Sequence, residues 1–326
     1  MQLSEKINTL LQLYNDYAVN KTSIHHPETV YRPIIYALSI PAKRVRPLAC
    51  MLAYSIFDEN INRVLPLAYS FEHFHNFTLV HDDIMDNAPL RRGMDSVFQK
   101  YGLNQALLSG DLMLLQCYAM LLNENFNQKN KILNCFTNTA IQVCEGQQLD
   151  IDFERQENVS ESDYIQMIQY KTAVLLAACL KCGALAANAN EQDAENLYNY
   201  GLIIGTIFQI KDDILDVYSN EKSGKIIAGD ILQHKKTILY ILAMQNGNEN
   251  QIKKLKEYYT SKQIDNNEKI NGVIQIFNET KVLEKAESLI HNYQNEAAIL
   301  LNNISMKNSK SEDIRHFAES LLKRLK

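Results

Sequence analysis

Two segments of the chain carry three aspartates in the same spacing. Residues 77–86 read FTLVHDDIMD and residues 208–216 read FQIKDDILD, so Asp82, Asp83 and Asp86 are echoed by Asp212, Asp213 and Asp216. On a helix the first and last aspartate of each triplet are i and i+4 and share a face. Like charges at that spacing cost an isolated helix about 0.2–0.5 kcal/mol per pair. Each triplet also follows an apolar run headed by a phenylalanine, which places the carboxylates near a core, where unpaired charge is unfavourable. A bound cation resolves both problems. Mg²⁺ fits, because it is small, takes oxygen ligands, keeps several waters and bridges one or two carboxylates to phosphate oxygens. An EF-hand is excluded, since its D-x-[DN]-x-[DN]-G ladder is absent.

Cations surround the triplets in sequence. Lys43, Arg44 and Arg46 form a compact group before a helix, Arg91 and Arg92 follow the first triplet, Lys171 and Thr172 lie mid-chain, and Lys225, Lys235 and Lys236 follow the second triplet. Arginine suits planar, bidentate phosphate binding and lysine acts as a point charge. Taken singly, each would be a solvated surface charge. Together they suit two diphosphates, one held through Mg²⁺ and one by cations alone. His75 lies seven residues before Asp82 on the same helical face and can donate to a phosphate beside Lys43 and Arg46. Paired triplets facing across a cavity would hold several ions around one diphosphate.

Helices must position these groups. All six prolines lie at or before Pro89, and glycine is sparse at 11 in 326 residues. Long breaker-free stretches with 3.6-residue periodicity predict helices over 104–123, 129–149, 162–187, 192–218, 230–245, 280–303 and 309–326. Strand signals are missing. Ser309 with Glu312, and Ser160 with Asp163, have capping-box spacing. Residues 246–272, rich in Asn, Lys and Gly, look like a connection with short helices. The expected architecture is all-α, a single-domain helical bundle over residues 1–326 around a central cavity.

Composition narrows the function classes. The net charge of −5 shows no basic excess of the kind a nucleic-acid binder carries. Six scattered cysteines in a long chain argue for reduced thiols and against a disulfide scaffold, and Cys179-x-x-Cys182 lacks the second ligand pair of a zinc site, so it reads as two small residues on a helix. The N-terminus lacks a signal-peptide layout. The longest uninterrupted apolar run, residues 173–180, is too short to span a bilayer. A soluble cytoplasmic protein with no membrane span is expected.

With these residues in view, the sequence resembles the trans-isoprenyl diphosphate synthases, which include the farnesyl and geranylgeranyl diphosphate synthases. The ordered stretches AKRVRP (42–47), HNFTLVHDDIMDNAPLRRG (75–93), EGQQLD (145–150), KTAVL (171–175), FQIKDDILD (208–216) and GKIIAGDILQHKKT (224–237) carry the resemblance. It implies Mg²⁺-dependent head-to-tail condensation of isopentenyl diphosphate with allylic diphosphates, an isoprenoid-synthase bundle, a homodimer, and about three Mg²⁺ ions. It implies that Asp82, Asp86, Asp212 and Asp216 are metal ligands. Arg91, Lys171, Lys225 and Lys235 would contact the allylic diphosphate, and Lys43, Arg46, His75 and Arg92 the isopentenyl diphosphate. Thr172 and Gln209 would supply dipoles near the reacting carbon. Two departures concern loop backbone: Pro41-Ala42 stands where the family has Gly-Gly, and Ala228 stands where it has a glycine.

The resemblance also bears on product length. In the family, aromatics at both the fourth and fifth positions before the first aspartate accompany C15, and a single aromatic at the fifth accompanies C20. Here Thr78 is the fourth and Phe77 the fifth, with Phe74 about two turns below Asp82. Geranylgeranyl diphosphate is therefore the expected product and farnesyl diphosphate the alternative. A class I terpene cyclase would need neither the second Asp-Asp-x-x-Asp nor the Lys43/Arg46/His75 group. A non-catalytic partner subunit would be expected to have damaged triplets, and both are complete here.

Overall fold

The computed structural model describes residues 3–21, 23–218, 228–261, 263–305 and 309–323. Among them helix dominates, as the scarcity of proline and glycine requires. The chain divides into two compact units, one of Met1–Thr137, Ala178–Leu197 and Ser305–Ile314, the other of Asn138–Ala177, Tyr198–Ile304 and Arg315–Lys326.

The first unit is organised by α4 (Leu65–Met85), which packs most extensively on α6 (Leu103–Asn123) and also against α1 (Leu3–Lys21), α2 (Glu28–Ser39), α3 (Val45–Phe57) and α5 (Val97–Tyr101). In α3 the run Pro47–Ile56 is buried throughout. Pro47 sits in the first turn, where its missing N–H has no helical partner to lose. In α4, Phe71, Phe74 and Phe77 are buried, and Phe74 meets the Phe136 ring at 5.3 Å. Gly110 on α6 gives His81 room, because a Cβ there would run into the imidazole. The cysteine pair behaves as expected: Cys179 and Cys182 are buried, and no disulfide joins any of the six thiols.

One expectation fails in this unit. Leu90–Arg91 (β1) and Met94–Asp95 (β2) form a two-residue antiparallel ribbon. Arg92 and Gly93 turn it with φ of 54° and 78°, the double positive φ that tight hairpins favour. Two-residue strands are too short to show alternation in sequence. Tyr36 of α2 holds the ribbon by donating to the Asp95 carbonyl at 2.8 Å.

The second unit is built around a break in helical register. The predicted helix over 162–187 is α8 (Glu161–Ile168), a π-helical turn at Gln169–Ala173, and α9 (Val174–Ala186). Ser160 and Asp163 form the expected capping box at the start of α8. The π turn carries Lys171 and Thr172, and two glycines admit it. A Cβ on Gly146 of α7 (Lys129–Arg155) would strike the backbone of Tyr170 and Lys171, and one on Gly205 of α10 (Glu191–Tyr218) would strike Ala173. The predicted 230–245 helix breaks into α11 (Gly229–Leu232) and α12 (Ile238–Asn246), because His234 turns left-handed at φ 62°. The Asn-rich connection contains α13 (Glu249–Thr260) and α14 (Asn266–Glu279), and α15 (Val282–Asn302) and α16 (Ser309–Lys323) complete the chain. The Ser309 side chain lies outside the described residues.

By length and composition, Leu103–Asn123 and Glu161–Ala186 are both apolar enough to cross a membrane, which the count of uninterrupted apolar residues had missed. In the second, 72% of the apolar window is buried in protein, as in a core helix.

Candidate active site

In the first unit the fold gathers cations that the sequence only suggests are neighbours. Arg44 caps α3 in the left-handed conformation, φ 49° and ψ 43°. Its guanidinium donates to Glu72 Oε1 and to the Leu38 carbonyl, each at 2.7 Å. Arg92 donates to the Pro41 carbonyl at 3.1 Å. His75 lies among them. Burial, then the charges of Arg46, Arg92, Arg91 and Arg44, hold its imidazole well below the ordinary histidine pKa. His75 is therefore neutral near neutral pH. Burial also lowers Arg46 and Arg92, and in both cases the Glu72 carboxylate opposes that shift. Lys43 is exposed. Arginines converging on a neutral imidazole, with one internal carboxylate, form a setting for a polyanion.

The first acidic triplet closes α4. Asp82 is half-buried in the last turn, and Asp86 is exposed and caps the helix, its N–H bonding the Asp82 carbonyl at 2.8 Å. A helix C-terminus carries partial negative charge, so carboxylates there favour a cation. Asp83 turns inward. It is buried and accepts from Arg91 Nε at 2.9 Å as well as from Arg91 Nη2. Burial raises its pKa against the pull of Arg91. Below the triplet, Phe77 meets the His81 ring at 4.8 Å and the Phe74 ring at 5.5 Å, and Thr78 Oγ1 donates to the His75 carbonyl at 2.8 Å.

The second unit holds the other set. Thr172 and Gln209, separated by 37 residues, meet at 3.2 Å. Gln209 Nε2 donates onward to Asp213 Oδ1 at 3.1 Å, and the Tyr164 hydroxyl donates to Asp213 Oδ2. Asp213 is buried, which pushes its pKa up to about 7 even though both donors favour the anion. Lys171 pairs with Asp150 at 2.5 Å. Asp216 Oδ2 accepts the Asp230 N–H at 2.9 Å. Burial first, then Asp216, raises Asp230 to about 6, with Asp212 and Asp150 adding to the effect and Lys235 opposing it. Lys235 Nζ is 3.9 Å from Asp230, whereas Lys236 is spent on the Phe153 carbonyl at 2.7 Å. Lys225 lies outside the described residues.

These donors suit Mg²⁺. They are hard carboxylate oxygens, and the mutual repulsion visible at Asp230 is what a divalent ion would relieve. Among the described residues, no three His, Cys, Asp or Glu side chains are grouped closely enough to hold a metal ion by themselves.

The polyprenyl synthetase family model matches residues 27–277. The chain belongs to the polyprenyl synthetase family. It is 40% identical to a geranylgeranyl diphosphate synthase of Methanosarcina mazei, over 69% of this chain and 70% of that one. It is 32% identical to the geranylgeranyl diphosphate synthase of Sulfolobus acidocaldarius over 98% of both chains. A crystal structure of a geranylgeranyl pyrophosphate synthase superposes with a TM-score of 0.92 at 32% identity, covering 97% of this chain and 98% of that one. The protein is a prenyltransferase, a short-chain isoprenyl diphosphate synthase, and the all-α expectation holds.

Within this polyprenyl synthetase the two departures from the family pattern can be placed. The Pro41 carbonyl still receives Arg92. Ala228 takes φ 59° while fully buried, the left-handed conformation a glycine adopts without strain. Sequence reasoning assigned no role to Glu72, Asp150, Tyr164 or Asp230, although Asp150 and Asp230 lie inside stretches that carried the resemblance. For those two the signal was charge within a motif, without spacing to a partner; Glu72 and Tyr164 lie outside the motifs.

Proposed function

We propose that this enzyme makes geranylgeranyl diphosphate by Mg²⁺-dependent condensation of isopentenyl diphosphate with allylic diphosphates. The observation that carries the reading is a buried His75 in the field of Arg46, Arg92, Arg91 and Arg44, with Arg44 bonded to Glu72 and Arg92 to the Pro41 carbonyl, in the same unit as a complete Asp-Asp-x-x-Asp. In this reading Arg46, His75 and Arg92, with Lys43, take the isopentenyl diphosphate. Asp82, Asp86, Asp212 and Asp216 hold the ions, and Arg91, Lys171, Lys225 and Lys235 hold the allylic diphosphate. Mg²⁺, when bound, neutralises charge on the departing diphosphate. The chain's own work is to bind and orient. Arg and Lys stabilise the negative charge that develops on the leaving group. The oxygens of Thr172 and Gln209 face the allylic cation, and apolar walls exclude water that would quench it. The isopentenyl double bond then attacks, and the proton lost from the new chain goes to the released diphosphate, so no dedicated basic side chain is required.

Phe77, with Phe74 and Thr78, is proposed to limit product length, which supports C20 over C15. Lys171 starts paired with Asp150, and diphosphate binding draws it from that partner. The match over 27–277 draws on both units and supports reading the chain as one functional domain. A cytoplasmic homodimer is the proposed form. Leu108, Leu115 and Leu122 repeat every seven residues along α6 and are 60%, 64% and 57% exposed, an apolar row suited to a second copy.

The test is product analysis of the pure protein with isopentenyl diphosphate, Mg²⁺ and dimethylallyl, geranyl or farnesyl diphosphate in turn. The expected product is C20 from each starter, abolished by EDTA. A hydrocarbon from farnesyl diphosphate alone would replace this reading with a cyclase, and a C15 end point would replace the product assignment.

A further inference from the structure

Glu72 stands one helical turn before His75 on α4, with its side chain 2% exposed. A buried carboxylate beside a polyanion site needs a reason, because its field opposes ligand binding. Its Oε1 is bonded by Arg44, while Oε2 is buried with no hydrogen-bond partner in the structure. Nε of Arg46 is likewise buried and unpartnered. Arg44 spans two anchors, Glu72 and the Leu38 carbonyl, and holds a left-handed backbone at the residue that launches α3. The direction in which Val45 and Arg46 leave that residue is fixed by this fork. Arg92, also left-handed, is tied to Pro41 in the same loop. The connection between α2 and α3 is thus held at Arg44 by Glu72 and the Leu38 carbonyl, and at Pro41 by Arg92.

We propose that Glu72, acting through Arg44, is a positioning residue for isopentenyl diphosphate: it holds Arg46 and Arg92 around His75. Neither Glu72 nor Arg44 is assigned a contact to the diphosphate. The inference rests on the reading above that Arg46, His75 and Arg92 bind that substrate.

The sign of one measurement separates positioning from mere proximity. Glu72→Gln removes a negative charge beside an anion site, so electrostatics alone would lower KM for isopentenyl diphosphate. Loss of positioning raises it. Steady-state kinetics with each substrate varied in turn should show KM for isopentenyl diphosphate rising about tenfold in Glu72→Gln, since small misplacements of binding groups are costly. KM for the allylic substrate and kcat should stay within about twofold. Arg44→Gln should match it, and the double variant should be no worse than the worse single one, because the two act as a unit. Arg44→Lys keeps the charge but cannot span both anchors, and is expected to raise the same KM about fivefold. An unchanged or lowered KM in a folded Glu72→Gln, or additive effects in the double variant, overturns the proposal. Should Glu72→Gln fail to fold by circular dichroism, an unchanged KM in Arg44→Lys overturns it instead. Arg46→Gln is the control: if it leaves KM for isopentenyl diphosphate unchanged, the site reading itself fails. If it raises KM while Glu72→Gln does not, only the positioning role fails.

Discussion

Histidine 73 offers a stability test that follows from burial alone. It lies on α4, 3% exposed, with Nε2 at 2.8 Å from Gln116 Oε1 and Nδ1 buried without a partner. Burial lowers its pKa from 6.5 to about 4. The unfolded chain therefore takes up a proton below 6.5 that the folded chain refuses until about 4. The contribution to stability is complete above the unfolded value and is lost as pH falls toward the folded one. Integrating that difference in proton uptake from about pH 7.5 to about pH 5 gives about 2 kcal/mol of destabilisation from this residue. His75, lowered by burial and by the arginine charges around it, shifts stability in the same direction. Asp213 and Asp230 titrate with the opposite sign, because burial raises them and acid then favours the fold. The wild-type slope alone therefore decides nothing. The informative quantity is the difference between wild type and His73→Gln, which keeps a polar reach to Gln116 and does not titrate. Urea unfolding followed by circular dichroism, at fixed protein concentration and both pH values, should show the variant losing about 2 kcal/mol less on acidification. Equal losses in the two proteins, within about 0.5 kcal/mol, would refute the claim that His73 is buried neutral.

Further outcomes are expected at three positions. Phe77→Ala, which removes a ring packed on His81 and Phe74, should lengthen the main product beyond C20, read by chromatography of the dephosphorylated alcohols; an unchanged product means Phe77 is not the stop. Tyr164→Phe removes a buried donor to Asp213 and should cost about 1.5–3 kcal/mol in urea unfolding, the range for a hydrogen bond to a charged group, with no loss if that bond is absent in solution. Ala228→Gly relieves left-handed strain of about 1–2 kcal/mol but loses a buried methyl and loosens the unfolded chain, so stability should stay within about 1 kcal/mol. Ala228→Val should lower stability by at least about 2 kcal/mol relative to Gly in the same thermal unfolding series, because a β-branched side chain tolerates positive φ poorly.

What could be read from sequence follows from what each feature depends on. The helices were legible because proline is absent after residue 89 and apolar periodicity persists. The acidic and basic residues were legible by type and by spacing within a motif. The π turn at 169–173 was not, because i+5 bonding has no composition of its own; it depends on Gly146 and Gly205, 23 or more residues away, leaving room for its backbone. Partners joined by folding were invisible for the same reason. Lys171 meets Asp150 across 21 residues, Tyr164 meets Asp213 across 49, and Arg44 meets Glu72 across 28. Nothing in local spacing predicts such pairs, since each is fixed by which helix faces lie against each other. The β ribbon escaped because its strands are two residues long.

The repeated Asp-Asp-x-x-Asp has a physical division of labour that neither sequence copy displays. In both copies the middle aspartate is the buried one. Asp83 is taken by Arg91, and Asp213 by Tyr164, Gln209 and, at 3.4 Å, the Ile238 N–H. A buried carboxylate with such partners cannot rotate outward without leaving them unpaired, which costs more than the bonds are worth in water. It therefore fixes the rotation of the helix about its own axis. Once that rotation is set, the residues at minus one and plus three project together on another face, since they are i and i+4 of each other. In the proposed ligand assignment the doubled aspartate is thus not two ligands side by side. One member anchors the helix inward so that the other, with the aspartate four residues on, can present a pair of oxygens. The different anchors from outside the helix, a guanidinium for one copy and a phenol for the other, are consistent with a requirement for a fixed helix face and not for one particular partner.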